Sequence, residues 1–396
     1  MKYKLAHLCR GKNWDKSYYF FKYVVSTFIL QTLLLSSCLD VASIRSKQEN
    51  QVGSKTVDGI SVKVKNGLAT IRSLVVDGDQ ISLWLWVQAP NVEITIEYEE
   101  LSVEKELELK MSNVMNDSSL QVEESVGQQR SSKSIVPQFI KPTVLQTTIA
   151  YQSPRVKLRL LAPIQKAEEE WKFAVFADVQ ERINGLADLL QPLGKEDVKF
   201  ALISGDLTSM GKTHELELFQ EEMERHLPFP CYATLGNHEL GTEGIPFYHY
   251  FGRGSFNFTY GGAMFSLIDG ASATIAKSTY QALMTWLERG RNQLHIFITH
   301  IPIIDPDGSR GGAYASRLDG AHLLGQLKQY RVDYLIYGHV HTYRQFSQAN
   351  IPALISGGGG SIPMRLDGIG RHYVIFSVQA KEQTLFHRIQ RIYPEE

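Results

Sequence analysis

Trp171-Lys172-Phe173-Ala174-Val175-Phe176-Ala177-Asp178-Val179-Gln180 is an apolar run that stops at an acid and an amide. A run this apolar, unbroken by polar alternation, reads as a strand covered on both faces. The arrangement recurs downstream. Phe200–Ser204 leads into Gly205-Asp206, and Cys231–Leu235 into Gly236-Asn237-His238-Glu239. His295–Thr299 leads into His300, and Tyr334–Tyr337 into Gly338-His339-Val340-His341. Met264–Asp269 is a further apolar run, and amphipathic stretches lie at Gln180–Leu190, Thr213–His226, Thr279–Arg289 and Leu318–Tyr330. Strands alternating with helices predict an α/β core over residues 171–396.

In each of the five segments a predicted strand ends in side chains able to hold a metal. Ligands of α/β sheets gather at the carboxyl ends of strands, so these residues are expected on one rim despite their spread along the chain. Carboxylate, amide oxygen and imidazole together suit Mn, Fe or Zn; the set is too rich in nitrogen for Ca and has no thiolate. A carboxylate such as Asp206 is able to bridge two ions. The glycines before Asp206, Asn237 and His339 let the backbone turn sharply and approach closely.

This series of segments resembles the calcineurin-like metallophosphoesterase superfamily, whose pattern runs D-x-H, G-D, G-N-H, H and G-H-x-H. The resemblance covers roughly Trp171 to Val378, including the Ser356-Gly357-Gly358-Gly359-Gly360 stretch and the closing run His372–Val378. It implies a four-layer α/β/β/α sandwich with a dinuclear site of divalent or trivalent transition metals. Carried over, Asp178, Gln180, Asp206 and His341 hold the first metal, and Asp206, Asn237, His300 and His339 the second. The implied chemistry is attack of a metal-bridging hydroxide on a phosphoester, with His238 as general acid to the leaving alkoxide. Substrates of this class are phosphorylated small molecules: phosphomonoesters, phosphodiesters or nucleotides.

The chain departs from the family pattern in two places. Gln180 stands where histidine is usual, and its harder amide oxygen favours Mn or Fe over Zn in the first site. Ser209 and Met210 stand where protein serine/threonine phosphatases carry Asp and Arg, and Ser209 where purple acid phosphatases carry a metal-binding tyrosine. The chain is therefore set apart from both groups. Substrate contact is expected instead from the loop Asp305–Arg317, with Arg310 as the candidate phosphate ligand. Tyr248, His249 and Tyr250 read as aromatic packing, and His214, His226, His295, His322, His372 and His387 as surface or core residues.

Upstream, residues 58–165 read as a sandwich-like all-β domain. Ile60, Val62 and Val64 alternate with polar residues, as do Ile81–Val87, Val92–Ile96 and Leu107–Leu109. Asn66-Gly67 and Asp77-Gly78 read as hairpin turns. The stretch 112–134, rich in Ser, Gln, Asn and Glu, reads as a mobile loop, and residues 38–57 as a polar tether.

Residues 1–37 read as an address: a basic leader, an apolar run Tyr23–Leu35, then Leu35-Ser36-Ser37-Cys38. The ending resembles a bacterial lipoprotein signal, which implies lipidation of Cys38 and a membrane-anchored, extracytoplasmic body, periplasmic or on the cell surface. The whole chain of 396 residues carries a formal net charge of −1. Six basic residues and only Asp15 precede Cys38, so the remaining body is acidic and unsuited to bulk nucleic-acid binding. After Cys9 and Cys38, Cys231 has no cysteine to pair with. The competing reading is a tethered non-catalytic binding module with a structural metal site, or an adhesin working through the β-domain; an exposed patch at Trp84 and Trp86 is its signature.

Overall fold

The computed structural model describes residues 41–98, 105–126, 129–306, 308, 312–365 and 367–393. The expected signal and Cys38, the expected lipidation position, lie outside the described residues, as does Arg310. No helix among the described residues is long and apolar enough to cross a membrane.

Among the described residues the N-terminal domain holds eleven strands: β1 (Ser54–Val57), β2 (Ile60–Val64), β3 (Ala69–Asp77), β4 (Gln80–Val87), β5 (Val92–Tyr98), β6 (Lys105–Ser112), β7 (Ser119–Val126), β8 (Gln129–Ile135), β9 (Gln138–Lys141), β10 (Val144–Tyr151) and β11 (Arg155–Leu161). They form two sheets, ordered β1-β2-β5-β11-β7-β8 and β3-β4-β6-β10-β9. Their apolar faces meet in one core that includes Val62, Ile94, Ile96, Leu83, Leu107 and Leu158. Period-two alternation supplies that face from every strand.

Three readings of this half are corrected. Much of the stretch 112–134 is a hairpin, not a loop: β7 pairs antiparallel with β8, and β7 with β11. Gln121, Glu123 and Glu124 lie on β7, next to the sheet's edge strand β8, where one polar face costs little. The Asn66-Gly67 turn does not close a hairpin. It carries the chain from one sheet to the other, since β2 pairs with β1 and β5 while β3 pairs with β4. The expected tether 38–57 is not one over its described part, because residues 41–49 form a helix, α1, and β1 joins a sheet. In α1 the buried residues Ala42, Arg45, Ser46 and Glu49 recur at helical spacing.

The second domain has two further sheets. The first contains β12 (Trp171–Phe176), β13 (Ala201–Ile203), β14 (Cys231–Ala233), β21 (His372–Gln379) and β22 (Thr384–Arg391), ordered β14-β13-β12-β21-β22. The second contains β15 (Phe256–Tyr260), β16 (Ala263–Ile268), β17 (Leu294–Thr299), β18 (Tyr334–Tyr337), β19 (Tyr343–Gln348) and β20 (Ile351–Ser356), ordered β15-β16-β17-β18-β20-β19. The helices are α2 (Ala187–Leu193), α3 (Thr213–His226), α4 (Phe247–Tyr250), α5 (Lys277–Gly290) and α6 (Arg317–Gln329). Residues Gln180–Gly185, expected as the start of an α-helix, form a 3-10 turn ahead of α2.

Three apolar layers make this an α/β/β/α sandwich. Trp171, Phe173 and Val175 enter the core between the sheets, against Phe265, Ile296 and Ile336. Ala174 and Phe176, on the opposite face of β12, pack under Leu189, Leu190, Leu216 and Phe219 of α2 and α3. Phe297 and Leu335 pack under Leu283, Leu287, Leu323 and Leu327 of α5 and α6. Strands β12–β14 are parallel, as are β16, β17, β18 and β20, so their carboxyl ends share a rim.

The β-domain seals the edge where β14 and β15 lie. Asn113 imitates a neighbouring strand there: its amide nitrogen donates to the Cys231 carbonyl at 2.7 Å and its oxygen accepts the Cys231 N–H at 2.8 Å. Gln88 pairs with both backbone groups of Arg253 in the same way, at 2.8 and 2.7 Å. Covering an edge with side-chain amides removes a site of strand addition. Trp86 is buried edge-on against Phe251, with ring centroids 5.8 Å apart. Trp84 lies beneath Arg72 and Lys110, and Arg72 also stacks on Tyr250. Both tryptophans are thus occupied within the molecule, and no exposed aromatic patch forms at them.

Candidate metal centre

The five strand-end segments meet. Asp178 follows β12, Asp206 follows β13, Asn237 and His238 follow β14, His300 follows β17, and His339 and His341 follow β18. The loops holding them are strained: Asp178, Gln180, Asp206 and His339 have φ of 61°, 49°, 54° and 68°. L-residues in the left-handed region cost about 1–3 kcal/mol each and persist where the surroundings overdetermine them. Close approach explains Gly236: a Cβ there would lie 2.1 Å from Asp206 Oδ1. At Gly205 the φ of 94° adds a conformational requirement to the same crowding.

Asp206, 1% exposed, is the hub. Its Oδ1 accepts the His238 N–H at 2.9 Å and lies 3.3 Å from His300 Nε2; its Oδ2 accepts from Gln180 Nε2 at 2.7 Å. Asn237 Oδ1 lies 3.1 Å from His300 Nε2 and 2.9 Å from His339 Nδ1. His341 Nε2 is 3.4 Å from the Gln180 amide and 3.5 Å from Asp178 Oδ1. Asp206, His300 and His339 present ligand atoms all within 4.8 Å of one another.

The donor set suits a cation. Asp178 Oδ1 is buried with no hydrogen-bond donor, an arrangement that costs free energy unless a positive charge meets it. Three imidazoles are tied through Nδ1 to backbone carbonyls: His238 to Ser209 at 2.7 Å, His300 to Ser204 at 2.8 Å, and His341 to Ile362 at 2.7 Å. A carbonyl only accepts, so each Nδ1 carries a proton and each Nε2 is left facing inward, where it gives its own proton up or, once rid of it, offers a lone pair to a cation. Burial opposes the charge on His300, yet the Asp206 carboxylate overrides it and raises His300 to about 9. Burial likewise opposes ionisation of Asp206, but His300 and then His238 hold it well below the usual carboxylate range. The site attracts positive charge.

The sequence reading gave no role to Glu239, which is fully buried and braces the hub. Its Oε2 accepts the N–H of Gly236 at 2.8 Å and of Asp206 at 3.0 Å; its Oε1 accepts both the N–H and the hydroxyl of Thr208 at 3.0 Å. Burial, then the charge of Asp206, push its carboxyl up to about 7. Its position directly after Gly-Asn-His was the available signal. In Glu239→Gln an amide NH₂ replaces one acceptor and confronts N–H donors. The variant is expected to lose about 1–3 kcal/mol of stability and at least about tenfold in turnover, read by denaturant unfolding and ester hydrolysis. Ser361 was also missed: its N–H and hydroxyl both reach the Asp178 carbonyl at 2.8 Å.

Ser209, noted for the carboxylate it lacks, orients His238 through its backbone carbonyl instead. Tyr248 and Tyr250 are buried packing residues. His295 is buried against Ser266, and burial lowers it to about 4, so it stays neutral in the core.

Residues 172–343 match the model of the calcineurin-like phosphoesterase family. No curated protein matches in sequence. Among solved structures, a purple acid phosphatase from yellow lupin (Lupinus luteus) seeds aligns at a TM-score of 0.50 and 14% identity. The alignment covers 78% of this chain and 71% of that one, more than the α/β domain alone supplies. PhoD aligns at a TM-score of 0.45 and 10% identity over 77% of this chain and 88% of that one. GAP50, the inner-membrane-complex anchor of Plasmodium, aligns at 0.41 and 15% over 57% and 90%. At these identities the likeness concerns the fold, and the family rests on the matched segment with the motifs inside it. Residues 172–343 thus form a calcineurin-like phosphoesterase domain, and the chain that carries it is a phosphoester hydrolase.

Proposed function

We propose that the enzyme is a dinuclear metallophosphoesterase anchored outside the cytoplasm through Cys38, acting on a phosphomonoester or phosphodiester with His238 as general acid. What carries the reading is the inward-facing donor set: three imidazoles with Nδ1 already spent on carbonyls, arranged around a buried carboxylate pair. Asp178, Gln180, Asp206 and His341 are the ligands of one metal, and Asp206, Asn237, His300 and His339 of the other. Gln180 here donates to Asp206; the same amide is able to present its oxygen in that place. When bound, the two ions supply Lewis acidity, lowering the pKa of a water and drawing charge from the phosphoryl group.

His238 does the proton work. Its Nδ1–H is held by the Ser209 carbonyl, and its Nε2 lies 3.8 Å from Asp206 Oδ2, at the hub but outside the ligand sets. In the imidazolium form Nε2–H gives its proton to the departing oxygen, which leaves as an alcohol. The carbonyl keeps the ring aimed without adding a negative charge beside it.

The test is hydrolysis of para-nitrophenyl phosphate and its bis-ester with Mn, Fe, Zn, Ni or EDTA. Metal-dependent turnover is expected, falling about 10²-fold or more in His238→Ala while the metal content stays at two ions per chain. Absence of turnover with two ions bound would move the chain to the binding-module reading.

A further inference from the structure

We infer that the rim carrying the metal centre is the surface this protein lays against the lipid bilayer, and that its substrate is a phosphoester borne by a lipid headgroup. The inference rests on the proposed hydrolase and anchor readings.

The first observation is where the anchored end of the chain enters the fold. α1 docks on the rim itself. Arg45 Nε donates to Asp269 Oδ2 at 2.8 Å and its Nη2 to Asp269 Oδ1 at 3.1 Å and to Ser272 at 2.9 Å. Asp269 directly follows β16, whose Ile268 pairs with Thr299; the next residue after Thr299 is the metal ligand His300. The clamp on α1 is therefore one strand away from the metal centre. Ala42 and Ser43 wall a cavity of about 390 Å³ together with Ile275, Tyr280, Tyr314 and Asp319, so the helix also lies beside the start of α6.

Chain length turns this into a geometric constraint. Three residue steps separate Cys38 from Val41, and they span at most about 11 Å when fully extended. Even from Leu35, the end of the apolar run, the reach is about 20 Å. An anchor at either point holds the rim close to the membrane surface. A free polar tether would have allowed any orientation; a helix fixed by a buried ion pair does not.

The second observation is the distribution of exposed apolar side chains. Twelve large ones are exposed among the described residues, and six belong to rim segments: Val41, Ile44, Met210, Ile304, Leu318 and Ile362. Leu318 and Ile362 are 79% and 83% exposed. Met210 follows the residue that orients His238, and the Ile362 carbonyl holds His341. Lys277, Arg317 and Arg365 are exposed among them, which suits anionic headgroups. Apolar side chains beside cations are how a peripheral surface seats in the headgroup layer.

The test uses the full chain reconstituted in vesicles of phosphatidylcholine and phosphatidylglycerol, with phosphatidic acid added. Cys231 is buried, so Leu318→Cys and Ile164→Cys each introduce a thiol with no other exposed thiol in the body. Ile164, 92% exposed, precedes β12 and marks the opposite end of the sheets. A bulky polyethylene-glycol maleimide is expected to label Leu318→Cys at least about tenfold more slowly in vesicles than after detergent release, with Ile164→Cys changing less than about twofold. Equal labelling at Leu318 in both states overturns the orientation. Hydrolysis of phosphatidic acid or phosphatidylglycerol, weakened in an Ile44→Glu/Leu318→Glu variant that still cleaves para-nitrophenyl phosphate normally, supports the substrate class. Cleavage of the soluble ester with neither lipid attacked overturns it. Failure on every ester, soluble ones included, sinks the hydrolase reading instead.

Discussion

Replacing Asp206 by alanine is expected to strip the metal centre, leaving fewer than one ion per chain and hydrolysis at background. The carboxylate is the only group that both proposed ligand sets share. It is 1% exposed and gathers His238, His300 and Gln180 around its two oxygens. Without it neither set keeps more than three protein ligands, and the charge that draws a cation falls most where the two sets meet. Elemental analysis of the purified variant, beside wild type and His238→Ala, reads the outcome. Asp206 and His238 touch each other, so a merely structural disturbance would deplete metal in both variants alike. The proposed roles require metal loss in Asp206→Ala and metal retention in His238→Ala. Asp206→Asn keeps the shape and one acceptor oxygen while removing the charge; intermediate occupancy is expected from it.

The second large effect lies away from the metals. Arg45→Ala leaves the Asp269 carboxylate, 7% exposed, without its guanidinium. Breaking a buried ion pair by removing one partner costs about 3–5 kcal/mol, mostly through the uncompensated charge that stays behind. The cost is expected as loss of α1 docking, read by faster amide exchange across residues 41–49 and a lower denaturation midpoint. An Arg45→Leu/Asp269→Asn double variant is expected to recover most of it, because neither charge is then stranded. Glu49, on the same face of α1, adds a pH dependence. Burial, reinforced by the charge of Asp269, pushes its carboxyl up from 4.5 to about 8. The folded protein thus holds a proton that the unfolded chain has released. This contribution is complete below pH 4.5 and declines as pH rises through about 8. Exchange across α1 is expected to quicken over that interval.

These two regions differ in how far their residues reveal them. The proposed ligands of the metal centre stood out because metal chemistry tolerates few side chains. Carboxylate, amide and imidazole at strand ends, flanked by glycine, have little other reason to recur in one domain. Glu239 was harder to assign, since a brace accepting three backbone N–H groups looks in sequence like any solvated acid. The segment now seen as α1 was misread for the same reason. Arg45 and Glu49 suggest solvent, yet their partners Asp269 and Ser255 lie more than 200 residues away. Strands β7 and β8 looked like loop because Ser, Gln and Glu are poor strand markers, and the ladder that organises them comes from β11.

The sequence by itself determined the α/β core, the succession of the strands and helices that carry the site, and the identity of the side chains at their carboxyl ends. Those depend on local periodicity and on residue chemistry, both carried within short segments. Only the tertiary structure decided that the Ser209 carbonyl orients His238, that the side chains of Asn113 and Gln88 dock the β-domain on the sheet edge, and that α1 lies on the catalytic rim. Each depends on polar groups distant in sequence meeting where water is excluded. A buried arginine or glutamine is satisfied by whatever the fold places opposite it, and no local pattern encodes that partner.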